Sequence, residues 1–245
     1  MKKIASIILF IFSANFLFAA APLFEQANNF YAVEKYEEAI QLYDSIQQNG
    51  LQSEELFYNI GNTYYKLQNW PNSILYYEKT LKLDANHEDA LHNLALAQLK
   101  IVDKIDPIPS LFFQKWLDNL TLLLPFESWA ILCLILLWTT LILFTLRKVT
   151  HVNLSNRIFI LLIIFSVCAF VFANNQFKQT TMRKNAIIFS SSVVIKSAPS
   201  FSANDLFSLH AGSKIAIIDQ IGNWIHIKLA NGNKGWMLKE NCKEI

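Results

Sequence analysis

Histidines, cysteines and paired glutamates are where acid–base, metal or nucleophilic chemistry would show first in this chain. His87 and His92 lie five positions apart. That spacing puts them on different faces of a helix, unlike the i, i+4 pair of a zinc-binding helix. His151, His210 and His226 have no cysteine or acid at metal-ligand spacing. Cys133 and Cys168 fall inside apolar runs and are expected to pack as small hydrophobes. Cys242 has no sequence neighbour that would lower its pKa. Glu37-Glu38 and Glu54-Glu55 are adjacent carboxylates, but neighbours on a helix diverge and read as a solvated face. No nucleophile elbow and no phosphate-cradling glycine loop is present. The expectation is a non-enzymatic protein with no metal and no cofactor.

Composition says where those residues sit. Apolar residues make up 53% and charged residues 16%, against roughly a quarter charged in an ordinary soluble domain. Part of the chain is therefore expected to face lipid. The net charge of +2 is unevenly spread. Residues 22–104 hold 6 Lys against 12 Asp and Glu, a net of −6, and residues 183–245 hold 8 Lys and Arg against 4 acids, a net of +4. Opposite signs predict two independently folded surfaces with different tasks. The basic excess is too small and scattered for nucleic acid.

Membrane-directed segments follow from hydropathy. Met1-Lys2-Lys3, the apolar run Ile4 to Phe18 and the small residues Ala19-Ala20-Ala21 have the form of a secretory signal peptide over 1–21. A first span is predicted at 126–146 and a second at 158–175, since roughly 20 apolar residues cross a bilayer core. The second apolar run is short and needs help from its flanking residues. Arg147, Lys148 and Arg157, with no acid nearby, put the 147–157 loop in the cytoplasm. The segments outside both spans are then periplasmic, with the chain anchored in the inner membrane. Residues 105–125 form a linker and an amphipathic helix, expected either to lie in the lipid interface or to cap the helical domain before it.

Residues 22–104 repeat at a period of 34. Ala27, Gly61 and Ala95 come into register, as do Phe30 with Tyr64, Tyr36 with Trp70, Ala39 with Ser73, and Tyr43 with Tyr77. A helix–turn–helix unit of that length is the tetratricopeptide signature. The segment Leu56 to Lys66 resembles that family's first helix. Residues 184–245 switch to short β-branched and aromatic runs, with a type I′ hairpin predicted at Asn231-Gly232. The pattern from Val193 to Pro199, then Gly212, Trp224, Gly232, Gly235 and Trp236, resembles the bacterial SH3-like family. The fold class expected is a multi-domain membrane protein: an all-α tetratricopeptide solenoid, two transmembrane helices and an all-β SH3-like barrel.

That order of modules resembles the BatE proteins of aerotolerance operons. The resemblance implies a scaffold beside Bat-type membrane proteins that carry von Willebrand A-type domains, and a link to stress tolerance. The tetratricopeptide pattern implies a concave protein-binding face lined by Asn28, Tyr31, Tyr58, Asn62, Tyr65, Lys66 and His92. Asn28 and Asn62 match the carboxylate-clamp members of that family, but the clamp's cationic positions hold Phe24, Asp89 and Asn93. In the SH3-like module, Trp224 is expected in the core and Trp236 in a ligand groove. A different reading makes the chain a cell-wall sensor that binds peptidoglycan through this module.

Overall fold

The computed structural model describes residues 22–109, 112–121, 123–150, 155–177 and 184–245. The expected signal peptide, 1–21, lies outside them. The described residues form two compact units, one from the chain up to Asp106 together with Lys184–Ile245, the other within Pro107–Arg183.

The first unit begins with five helices: α1 (22–32), α2 (Tyr36–Gln48), α3 (Glu54–Lys66), α4 (Trp70–Leu83) and α5 (Glu88–Gln98). Their turns repeat residue for residue. Glu34 and Gln68, 34 apart, both take left-handed backbone, with φ of 61° and 57°. Glu34 N–H donates to Tyr31 O and Lys35 N–H to Phe30 O; Gln68 N–H and Asn69 N–H do the same to Tyr65 O and Tyr64 O. Side chains cap the helix starts, as orphan N–H groups require. Ser53 Oγ accepts from Leu56 N–H, and His87 Nδ1 accepts from Ala90 N–H. Close packing explains the small residues. Ala27 is fully buried. A Cβ on Gly61 would sit 2.7 Å from the Tyr77 ring. Ala95, in register with them, is exposed because no second helix follows α5 within the repeat.

The repeats pack on a β module as well, through another face. Strands β1 (Lys184–Ile188), β2 (Ser192–Lys196), β3 (Asp205–His210), β4 (Lys214–Ile221), β5 (Trp224–Lys228), β6 (Lys234–Leu238) and β7 (Cys242–Glu244) form one antiparallel sheet ordered β3-β2-β6-β5-β4-β1-β7. Its core gathers Ala186, Ile188, Ile195, Ile215, Ile225, Ile227 and Met237. The hairpin at Asn231-Gly232 differs from the expected type I′. Only Gly232 has positive φ, and its N–H donates to Leu229 O. This is a type I turn closed by a glycine bulge, in which one positive φ suffices.

The two modules do not pack independently, contrary to what their opposite charges suggest. Ile187 of β1 is fully buried among Ile74, Leu75, Tyr77, Leu94 and Ala97 of the repeats. Glu78 on α4 accepts from Lys214 Nζ at 2.6 Å. Asp103 Oδ2 accepts from His210 N–H at 2.6 Å and from Ser213 Oγ, while its Oδ1 meets His210 Nδ1 at 2.8 Å. The charge imbalance is thus partly used up inside the joint.

The second unit holds α6 (Phe112–Thr121), α7 (Phe126–Thr150) and α8 (Asn156–Phe177). Helices α7 and α8 are long and apolar enough to cross a membrane, and few of their residues are buried. A water-soluble protein would have to cover such helices. They pack as an antiparallel pair along small residues: Cys133 Sγ lies 3.3 Å from Ser166 Oγ, beside buried Ala169 and Ala173. Helix α6 belongs to this unit.

Candidate peptide-binding site

Helices α1, α2 and α3 enclose a pocket of about 170 Å³ lined by Asn28, Tyr31, Tyr43, Asn59 and Asn62. Its polar groups form a ladder with the period of the fold. Tyr43 Oη donates to Asn28 Oδ1 at 2.6 Å, and one repeat later Tyr77 Oη donates to Asn62 Oδ1 at 2.7 Å. Asn59 Nδ2 donates to Asn28 Oδ1 at 3.1 Å, and Asn93 Nδ2 to Asn62 Oδ1 at 3.0 Å. Each carboxamide oxygen therefore accepts twice. The Nδ2 groups of Asn28 and Asn62 stay available as donors among the described residues.

Burial pushes the pKa of Tyr43 and Tyr77 well above the ordinary tyrosine value. Tyr31 is raised as well, first by burial and then by the neighbouring Tyr36 and Tyr58. All three phenols stay protonated. A protonated phenol can donate or accept; here Tyr43 and Tyr77 donate, each to the oxygen of its asparagine.

The expected residues divide by place. Asn28, Tyr31 and Asn62 line the pocket. Tyr58 joins through Asn93 Nδ2, which donates to its Oη at 3.2 Å, and its ring packs 4.8 Å from His87. Tyr65 meets Trp70 edge to face at 5.3 Å. Lys66 and His92 are exposed and outside the pocket lining. Sequence reasoning missed Asn59, Asn93 and Tyr43 as site residues. The 34-residue register that pairs Asn28 with Asn62 also pairs Asn59 with Asn93. The pocket lining carries no cation, so its chemistry suits a neutral carbonyl better than a carboxylate.

In the β module, β5 and β6 bury Ile225, Ile227, Gly235 and Met237 and turn Trp224, His226 and Trp236 to the other face. Trp224 is half-buried there, against Phe201 at 5.1 Å, and not in the core. Trp236 stacks on His226, ring centres 4.7 Å apart and planes within 8°. Lys196, opposite Trp236 in register, is tied to Asp205 at 2.7 Å. Burial, helped by Glu244, pushes the Cys242 thiol up to about 11. A thiol held neutral in this way is a poor nucleophile.

Residues 54–87 match the tetratricopeptide repeat family, and residues 191–242 match the bacterial SH3 domain family. A comparison with curated proteins finds no match. Both matched families are typically non-catalytic binding modules, the first for proteins and the second for cell wall.

Proposed function

We propose that the chain is a membrane-anchored adaptor that holds an extended, uncharged stretch of a partner protein in its asparagine-lined pocket. One observation carries this reading: the repeated tyrosine-to-asparagine bonds that leave Asn28 and Asn62 Nδ2 as fixed donors. Two donors on one concave face suit backbone carbonyls of an extended peptide that point the same way, and tyrosines beside them supply rigid amphipathic surface. The resemblance to BatE proteins makes the partners membrane proteins with von Willebrand A-type domains, in an inner-membrane complex concerned with stress tolerance. Both modules then face the periplasm. Support comes from the shared core around Ile187, which requires one side of the membrane for both, and from the cations Arg147, Lys148 and Arg157 between the spans. The test is co-purification from membranes of the full chain with Tyr58, Asn62 and Tyr65 changed together to Ala. Loss of partners with the melting temperature kept near that of the parent supports the reading; unchanged partners reject it.

The stacked His226–Trp236 pair favours a second reading, in which the outer face of the β module binds peptidoglycan. Because this module shares a core with the repeats, the experiment uses the full chain. Trp236→Ala should then reduce sedimentation with purified cell wall, and equal sedimentation would remove this reading.

A further inference from the structure

Strand register shows which end of the β sheet receives the chain from α8. Strand β1 starts at Lys184, paired with Ile217 of β4. Strand β4 continues four residues past that point to Ile221, which pairs with Trp224 across the hairpin. The β4–β5 tip thus projects from the same end of the sheet at which the chain arrives from α8. This tip is apolar and uncovered: Ile218 is 46% exposed, Ile221 54%, and Phe201, which packs its ring on Trp224, 74%. Beside them stand Ser200, Ser202, Gln220 and Asn223, with Asp219, whose Oδ1 accepts from Gln220 N–H, and Lys239, whose N–H donates to Asn223 O.

We infer that this tip docks on the lipid surface. The inference rests on the reading of α8 as a membrane span. Between the end of α8 at Phe177 and Lys184 lie six residues, 178–183, which can bridge at most about 25 Å. The tip can therefore reach the headgroups at the end of α8. In sequence, Lys178, Arg183 and Lys184 give this stretch three cations and no acid, and such a run is drawn to anionic headgroups. Tryptophan, phenylalanine and isoleucine beside small polar groups match the composition that partitions into the bilayer interface. A tip seated in lipid orients the repeats, because Ile187 and Asp103 join the two modules.

The experiment uses the full chain with Cys133, Cys168 and Cys242 changed to Ala and single cysteines introduced by Phe201→Cys, Ile221→Cys, Asn231→Cys or Val167→Cys. Each carries a polarity-sensitive fluorophore, in vesicles of phosphatidylethanolamine and phosphatidylglycerol bearing a nitroxide on the headgroup or mid-chain. Labels at 201 and 221 should shift to the blue and lose most of their emission to the headgroup nitroxide. The label at 231, at the other end of β5, should do neither. Equal emission at 221 and 231, with 167 quenched by the mid-chain nitroxide, overturns the docking and leaves the span intact. A label at 167 that escapes the mid-chain nitroxide removes the span, and the docking with it.

Discussion

Asp103 and His210, 107 positions apart in the chain, meet through two bonds: Asp103 Oδ2 accepts the His210 backbone N–H, and Asp103 Oδ1 faces the His210 ring. With Ser213 Oγ on the same carboxylate, this contact pins the segment after α5 to the turn between β3 and β4. Removing the acid orphans the His210 N–H and the Ser213 hydroxyl, at about 1–3 kcal/mol each, and leaves the His210 ring without its partner. Asp103→Ala should therefore lower the melting temperature of the detergent-solubilised chain and speed hydrogen exchange at the 210–213 amides. Unchanged exchange there would mean the contact contributes nothing.

The same carboxylate sets a pH dependence. Burial alone would raise the Asp103 pKa, but the bonds from Ser213 and from the His210 N–H and ring outweigh it and hold the group below its ordinary value of 3.8. A folded pKa below the unfolded one means that the unfolded state binds the proton more readily. The contribution is present above the unfolded value and lost as pH falls through the folded one. Melting temperature measured from pH 6 downward should fall below about pH 4 in the parent. Asp103→Asn should be less stable at neutral pH and show a shallower acid fall; parallel curves would reject the assignment.

Glu78 and Lys214 make the second clasp of the joint, with the carboxylate buried and the ammonium partly in water. Lys214→Ala leaves a buried charge unpaired. The cost should be about 1–3 kcal/mol, below the range for a wholly buried pair because Lys214 stays partly solvated. Adding Glu78→Gln should recover part of the loss, since the neutral amide no longer needs a counter-ion. Thermal unfolding of both single variants and the double variant checks this, and strict additivity would show that the two groups are not coupled.

How much of this was legible follows from distance in sequence. The helical repeats were readable because their contacts are local and recur: Ala27 with Gly61, Ala39 with Ser73 and Tyr43 with Tyr77 occupy the same buried places. The asparagine ladder was half legible. Asn28 and Asn62 stood out, whereas Asn59 and Asn93 obey the same offset but act from the neighbouring helix, so their partners depend on which faces meet. The parity of β5 was present in the sequence but ran against the core position expected for Trp224: once Ile225 and Ile227 are inward, Trp224 must face outward. Strand β3 carries a weak sequence signal because Ser208 and His210 dilute its apolar pattern, and β7 has only three residues. The joint was not legible, because Glu78–Lys214 and Asp103–His210 span 136 and 107 positions and no periodicity connects them.

Gly212 marks the tightest approach in that joint. Its φ is +93°, and a Cβ there would lie 2.4 Å from Ile101 Cγ2. Gly212→Ala therefore strains the backbone and overpacks Ile101 together, each at about 1–3 kcal/mol. Adding Ile101→Ala should relieve the overpacking while leaving the backbone strain, so the double variant should be more stable than the sum of the single losses predicts. Strict additivity in thermal unfolding would place Gly212 outside the contact.

The pocket makes a sharper prediction than loss of binding on truncation. If Asn62 works as a donor, then Asn62→Asp, nearly equal in shape, puts an acceptor where a carbonyl must dock. The Tyr77 hydroxyl can still donate to the new carboxylate, so the fold should survive. Asn62→Asp should then weaken partner capture at least as much as Asn62→Ala does, by about tenfold or more for one bond turned repulsive. Because the pocket lining lacks a cation, a captured peptide should bind equally well with a free or an amidated C-terminus. Titration of the full chain with both forms of the peptide reads this directly. A strong preference for the free carboxylate, or an Asn62→Asp variant that binds like the parent, would reverse the polarity assigned to the ladder.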